Sequence, residues 1–218
     1  MTTIVAVAPT LSDAVQSAGA TLAGHAGDGH VVVVISGFSR DGDPADAAAA
    51  RALGLAGVVH LALDPAADRG YDGPHGPFDG LRAGDDTPKV AASVLAIAVG
   101  RLHPDLVLAP LGLTGHVDDL VLERALDELG LPRLRWVDLP YALRRTPGAP
   151  LGAGTVVAVP ATAAALAAKL AAAACFDADI DRLAAHAAAE GVRLRAGGPV
   201  EVLLGPASDD DGDGPAVD

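Results

Sequence analysis

Short runs of consecutive apolar residues alternate along this chain with longer segments in which apolar positions recur every three or four residues. The first run, Ile4-Val5-Ala6-Val7-Ala8, predicts a strand at about 3–8, and the pattern after it predicts a helix at about 12–26. Val31-Val32-Val33-Val34-Ile35 predicts a second strand, and four successive valines suit a strand buried on both faces. A helix over about 44–54 ends in Leu53-Gly54, with glycine as the stop, and Val58-Val59-His60-Leu61-Ala62-Leu63 predicts the third strand. The same reading gives a helix at about 88–102, a strand at 106–109, a helix at 119–129 and a strand at 134–138. A strand at 155–159, an Ala-rich helix over 161–174, a helix at 179–190 and a last strand at 200–204 complete the pattern. Repeated β-α-β order with right-handed crossovers predicts an α/β fold, a single-domain Rossmann-like three-layer sandwich with a mostly parallel sheet over residues 3–205. No Gly-x-Gly-x-x-Gly follows the first strand, so nothing in it points to a dinucleotide.

Two stretches interrupt the alternation. Residues 64–87 are rich in Gly, Pro and Asp, as in Asp72-Gly73-Pro74-His75-Gly76-Pro77, and are too long for a routine connection. They are expected to form a substrate lid. Residues 206–218, with Ser208-Asp209-Asp210-Asp211-Gly212-Asp213, have no hydrophobic periodicity and are expected to be an acidic disordered tail.

Composition narrows the class. Hydrophobic residues make up 50% of the chain and aromatic residues only 3%, so one core is built from Ala, Val and Leu. Lys and Arg number 15 against 28 Asp and Glu, a net charge of −13, which argues against nucleic acid because phosphate contacts need cations. Cys175 is alone, so neither an intramolecular disulfide nor a thiolate metal cluster can form within one chain. The apolar stretch Ala161–Ala174 is interrupted by Lys169 and falls short of the roughly 20 residues of a membrane span, so no membrane partner is expected. Met1-Thr2-Thr3 leads into the first strand without a basic segment, which predicts a cytoplasmic protein with no secretory signal.

Candidate chemistry lies just after two of the predicted strands. Ala8-Pro9-Thr10-Leu11-Ser12-Asp13-Ala14 and Gly112-Leu113-Thr114-Gly115-His116-Val117-Asp118-Asp119 both fall at carboxyl ends of parallel strands, where open α/β sheets keep their ligands. Thr10 and Asp13 also fit a capping box, and Asp118 and Asp119 fit first-turn acids favoured by the helix dipole. Arg144-Arg145 after Tyr141 would suit an anionic substrate, Arg40 and Arg51 follow the second strand, and Trp136 and Tyr141 suit a pocket wall or the core. The remaining histidines show no metal-ligand spacing.

The two loops resemble the signature motifs of the LmbE/PIG-L family of zinc-dependent N-deacetylases. In that family an Ala-His-Pro-Asp-Asp-Glu loop supplies two zinc ligands and the general base. A Gly-His-Pro-Asp-His loop supplies the third ligand and an assisting histidine. Laid on this chain, Thr10 stands at the ligand histidine, Ser12 at the base, Asp13 at the second ligand and Asp119 at the third, while His116 and Asp118 match in type. Ser17-Ala18-Gly19-Ala20, Gly29-His30, Ala52-Leu53-Gly54, Arg101-Leu102-His103-Pro104-Asp105, Lys169 and Glu201 extend the resemblance over most of residues 3–205. It implies catalytic positions at His116, Asp118 and Ser12, metal positions at Asp13 and Asp119, and a pocket with Thr10, Thr114, Arg40, Tyr141 and Arg144. A hydroxyl and two carboxylates suit hard cations better than zinc, so the expected cofactor is none or a weakly bound divalent cation. A serine has too high a pKa to replace a general-base aspartate.

Three expectations follow. One is a divergent N-deacetylase or amidohydrolase acting on a small polar N-acyl or amino-sugar-like molecule through an eroded zinc site. The second is a non-catalytic homologue that binds a small-molecule ligand or a partner protein, or forms a homo-oligomer. The third is metal-free acyl transfer with Ser12 as nucleophile and His116 as base.

Overall fold

A β-α-β chain with apolar strands has to cover both faces of its sheet with helices, and this one does. In the computed structural model, which describes residues 1–72, 76–113, 115–139 and 154–206, the order opens β1 (Thr3–Ala8), α1 (Leu11–Gly27), β2 (Val31–Ser36), α2 (Pro44–Leu53) and β3 (Gly57–His60). It continues α3 (Thr87–Leu102), β4 (Leu106–Pro110), α4 (Val117–Glu128), β5 (Leu134–Trp136), β6 (Val156–Pro160), α5 (Ala163–Ala173), α6 (Ile180–Arg193) and β7 (Val200–Leu204). The sheet has seven strands in the order β3-β2-β1-β4-β5-β7-β6. The first five run parallel, and β7 is antiparallel to both β5 and β6.

Alternation along β1 divides the core. Ile4, Ala6 and Ala8 pack with Leu11, Val15 and Leu22 of α1 and with Ala165 and Ala172 of α5. Val5 and Val7 face the other way, against Leu95 and Val99 of α3 and Leu122 and Leu126 of α4. The result is the expected three-layer sandwich. Among the described residues no helix is long and apolar enough to cross a membrane.

Most boundaries fall within a few residues of the sequence expectation, and several of the differences have a local reason. β3 ends at His60 instead of 63 because Ala62 adopts a left-handed φ of 53°, although Leu61 and Leu63 still donate to Ser36 and Gly37. β5 ends at Trp136 instead of 138 because the Asp138 carboxylate turns to the amides of the loop after β4. α4 begins at Val117, earlier than 119, because His116 caps it. The expected helix over 44–54 stops at Leu53, with Gly54 in the left-handed conformation (φ 72°) as its cap.

The small-residue run in α1 has a packing role. A Cβ on Gly19 would lie 3.0 Å from Lys169 Cγ, so α5 closes on α1 only because that position is bare. Lys169, fully buried, reaches Glu201 of β7 at 2.5 Å, and Glu201 also accepts from the backbone N–H groups of Ala20 (3.0 Å) and Thr21 (2.7 Å). This buried pair ties α1, α5 and β7 into one unit.

Candidate functional site

β2 and β3 extend the sheet on one side of β1, and β4 and β5 extend it on the other, so strand order reverses between β1 and β4. Ligands in open α/β sheets sit in the crevice outside such a reversal, and both motif loops end there. The first loop is closed on itself. Thr10 caps α1: its hydroxyl donates to Asp13 Oδ2 at 2.7 Å, its own N–H donates to the same oxygen at 3.0 Å, and Asp13 N–H donates back to Thr10 Oγ1 at 3.2 Å. Ser12 accepts from Gln16 Nε2 at 3.0 Å, one turn along its own helix.

In the second loop, His116 Nδ1 accepts the Asp118 N–H at 3.2 Å and caps α4, while the ring lies edge-on to Phe78 at 5.1 Å. Ser12 Oγ and His116 Nδ1 are therefore directed at other partners. Asp118 is buried and holds the 64–87 segment: it accepts from the Ala66 N–H at 3.3 Å and pairs with the Arg69 guanidinium. Arg69 also pairs with Asp85 at 2.5 Å, and its guanidinium stacks 5.1 Å over the Tyr71 ring. Tyr71 donates to Asp85 at 2.8 Å and accepts from Arg82 N–H at 3.0 Å. The described part of this segment, expected to form a substrate lid, is bound to the start of α4.

Asp119 completes a group of buried acids with Asp13 and Asp138. Its carboxyl is 5% exposed, and burial pushes its pKa well above the usual carboxylate range, with further upward pressure from Asp138, Asp13, Asp118 and Glu123. Asp138 is 4% exposed and accepts from Leu111 N–H (3.2 Å) and Leu113 N–H (3.0 Å). Burial first, and then the charge of Asp13, raise it to about 7 against the opposing pull of those amides. Asp13 is raised too, by burial first, with the Thr10 hydrogen bonds working against the shift. Gly112, in the loop after β4 whose neighbouring amides Asp138 accepts, has a left-handed φ of 67° that favours glycine.

The donor set does not fit the zinc ion implied by the motif resemblance. Thr10 and Asp13 are spent on each other, Asp119 brings a carboxyl where an imidazole would stand, and no group of three or more His, Cys, Asp or Glu among the described residues has metal-holding geometry. Arg40 is exposed, and Thr114, Tyr141 and Arg144 lie outside the described residues, as do His75 and residues 207–218. Sequence reasoning missed Asp138 and Arg69. A lone acid directly after the Leu134 strand was the available signal for the first, and nothing local marked the second.

Compared by sequence, the chain matches no family model and no curated protein. Compared by structure, it matches the zinc-inhibited form of teicoplanin deacetylase Orf2 with a TM-score of 0.74, at 21% identity over 96% of this chain and 100% of that one. The fold is that of the LmbE/PIG-L deacetylases. A second match to that fold is the deacetylase Dbv21 of the A40926 pseudoaglycone, with a TM-score of 0.72, 23% identity, and coverage of 93% of this chain and 96% of that chain. The LmbE/PIG-L fold is not confined to deacetylation. GalB, the 4-carboxy-2-hydroxymuconate hydratase of Pseudomonas putida KT2440, matches with a TM-score of 0.60 at 18% identity over 99% of this chain and 100% of that chain.

Proposed function

We propose that this chain is an LmbE/PIG-L homologue whose metal centre has been replaced by side-chain hydrogen bonds, and that its acid-floored crevice binds a small amino-sugar-like molecule through its free amine. The Thr10–Asp13 pairing carries this reading. The hydroxyl and carboxylate at two ligand positions satisfy each other, so a cation recruiting Asp13 would first have to break the cap of α1. Ser12 leaves the site without the carboxylate that would activate water, and His116 and Asp118 are engaged in capping and in holding the 64–87 segment.

Three carboxyls raised by burial, each also pushed up by a neighbouring acid, gain from a cationic partner, because an ammonium placed near them offsets part of their burial cost. An N-acyl group has no such charge. The crevice is therefore expected to prefer the deacylated amine over its amide. Calorimetric titration at pH 7 with glucosamine and with N-acetylglucosamine tests this: glucosamine should bind more tightly, and Asp119→Asn should weaken it. Equal affinities, or tighter binding of the amide, would sink the proposal.

The fold and the retained His116 support the second reading, a divergent N-deacetylase or amidohydrolase acting on a small polar N-acyl molecule. Release of acetate from N-acetylglucosamine by the metal-supplemented protein, abolished in Asp13→Ala, would establish it. Under the first reading, Thr10→His with Asp119→His raises zinc affinity by supplying two imidazoles, and acetate release does not follow because Ser12 is unchanged.

A further inference from the structure

β2 and β3 end side by side, with Ser36 opposite His60 in parallel register, so both residues stand at the carboxyl edge of the sheet. The turn after β2 is tied to the first motif loop, because Gly37 N–H donates to Ala8 O at 2.9 Å and Phe38 N–H to Pro9 O at 2.8 Å. Ser39 follows. Its Oγ hydrogen-bonds Ser36 Oγ and lies 3.2 Å from His60 Nδ1. Asp46, in the first turn of α2, places Oδ2 3.8 Å from the same ring nitrogen. Ser36 and Asp46 are buried while Ser39 and His60 are partly exposed, so the group meets solvent at its Ser39–His60 end.

The carboxylate is what this group leaves unexplained at rest. Asp46 is 7% exposed, and its Oδ2 has no hydrogen-bond partner among the described residues. Burial pushes its pKa up, with the His60 ring pulling it down and Asp43 pushing it up. Asp43 itself caps α2 through the Ala45 N–H at 2.8 Å. A neutral His60 that accepts the Ser39 proton at Nδ1 has no hydrogen there to offer Asp46. Once the ring has taken that proton, Nδ1 carries an N–H within 3.8 Å of the unsatisfied oxygen. The idle oxygen therefore matches the state that follows proton transfer from Ser39, which a buried acceptor would favour. A hydroxyl beside a histidine base, with a carboxylate beside that base, is the arrangement that activates a serine as a nucleophile.

We propose that Ser39 is a nucleophile for acyl transfer from small activated esters, with His60 Nδ1 as its base and Asp46 as the residue that positions the charged ring. Ser39 Oγ bonds to the acyl carbon while its proton passes to His60 Nδ1. The bond from that carbon to the leaving oxygen breaks, and the departing phenolate takes the proton. Water then adds to the acyl-serine, His60 takes its proton and returns it to Ser39 Oγ, and the carboxylic acid leaves. This site is distinct from Ser12 and His116, and it does not depend on amine binding in the motif crevice. The probe is 4-nitrophenyl acetate, given to the full chain in EDTA. Nitrophenolate should appear in a burst, and peptide mass spectrometry should find the acetyl group on Ser39. His60→Gln should slow acylation by about a hundredfold, and Ser39→Cys should still be acylated where Ser39→Ala is not. Asp46→Asn should slow it less and move the midpoint of the pH–rate profile down, because the carboxylate favours the charged ring; a purely structural role would lower the melting temperature and leave that midpoint in place. No adduct, an adduct on Ser12 or a lysine in place of Ser39, acylation of His60→Gln at the parent rate, or an unmoved midpoint in Asp46→Asn would each overturn the proposal.

Discussion

The sharpest consequence of the buried acids concerns Asp138→Asn. In the folded protein Asp138 is raised from 3.8 to about 7. A carboxyl with a raised folded pKa binds more protons folded than unfolded between those two values, so the stability associated with it is complete below the unfolded pKa and declines as pH rises through the folded one. Between pH 5 and the folded pKa about two pH units remain, and at 1.36 kcal/mol per unit the parent loses about 3 kcal/mol through this residue. Asparagine has no proton to lose. It accepts only one of the Leu111 and Leu113 amides well, a penalty that is the same at every pH. The stability difference between variant and parent should therefore move by about 3 kcal/mol in favour of Asp138→Asn from pH 5 to pH 8. Groups remote from the cluster, such as the half-buried His186 whose pKa is lowered, act in both proteins and cancel in this difference, whereas Asp119, pushed up in part by Asp138, is relieved in the variant and moves the difference in the same direction. Urea unfolding followed by the fluorescence of Trp136, buried at the end of β5, measures it at each pH. Parallel pH profiles for the two proteins would refute the account of the acid cluster.

Arg69→Met leaves Asp85 and Asp118 buried without their cation and should cost about 3–5 kcal/mol, with faster proteolysis inside residues 64–86. Arg69→Lys should recover little in the same assays, because one ammonium cannot serve two carboxylates as a planar fork does. Thr10→Val removes the cap of α1 and should cost about 1 kcal/mol in urea unfolding, with Thr10→Ser close to the parent. It should also raise the Asp13 pKa further, measurable by carboxyl NMR titration, since the Thr10 hydrogen bonds are what hold it down. Lys169→Met strands the buried Glu201 and should destabilise by about 3 kcal/mol, part of which Glu201→Gln in the same chain should restore.

Whatever depends on residues a few positions apart was legible in the sequence. Apolar runs marked the strands, their order predicted the three layers, and the Thr10–Asp13 capping box was readable because both partners lie within one helical turn. The motif loops could be placed at the strand ends, and the substitutions at Thr10, Ser12 and Asp119 were visible as residue types. Their surroundings were not. Arg69 meets Asp118 across 49 positions, Lys169 meets Glu201 across 32, and Asp138 reaches the Leu111 amide across 27. The insertion of β7 between β5 and β6, antiparallel to both, likewise left no mark in the periodicity. Periodicity reports which face of an element is buried, but not which distant element covers it. A buried charge finds its partner, and an acid its shifted pKa, only once the sheet order has brought separate segments together and excluded water from between them.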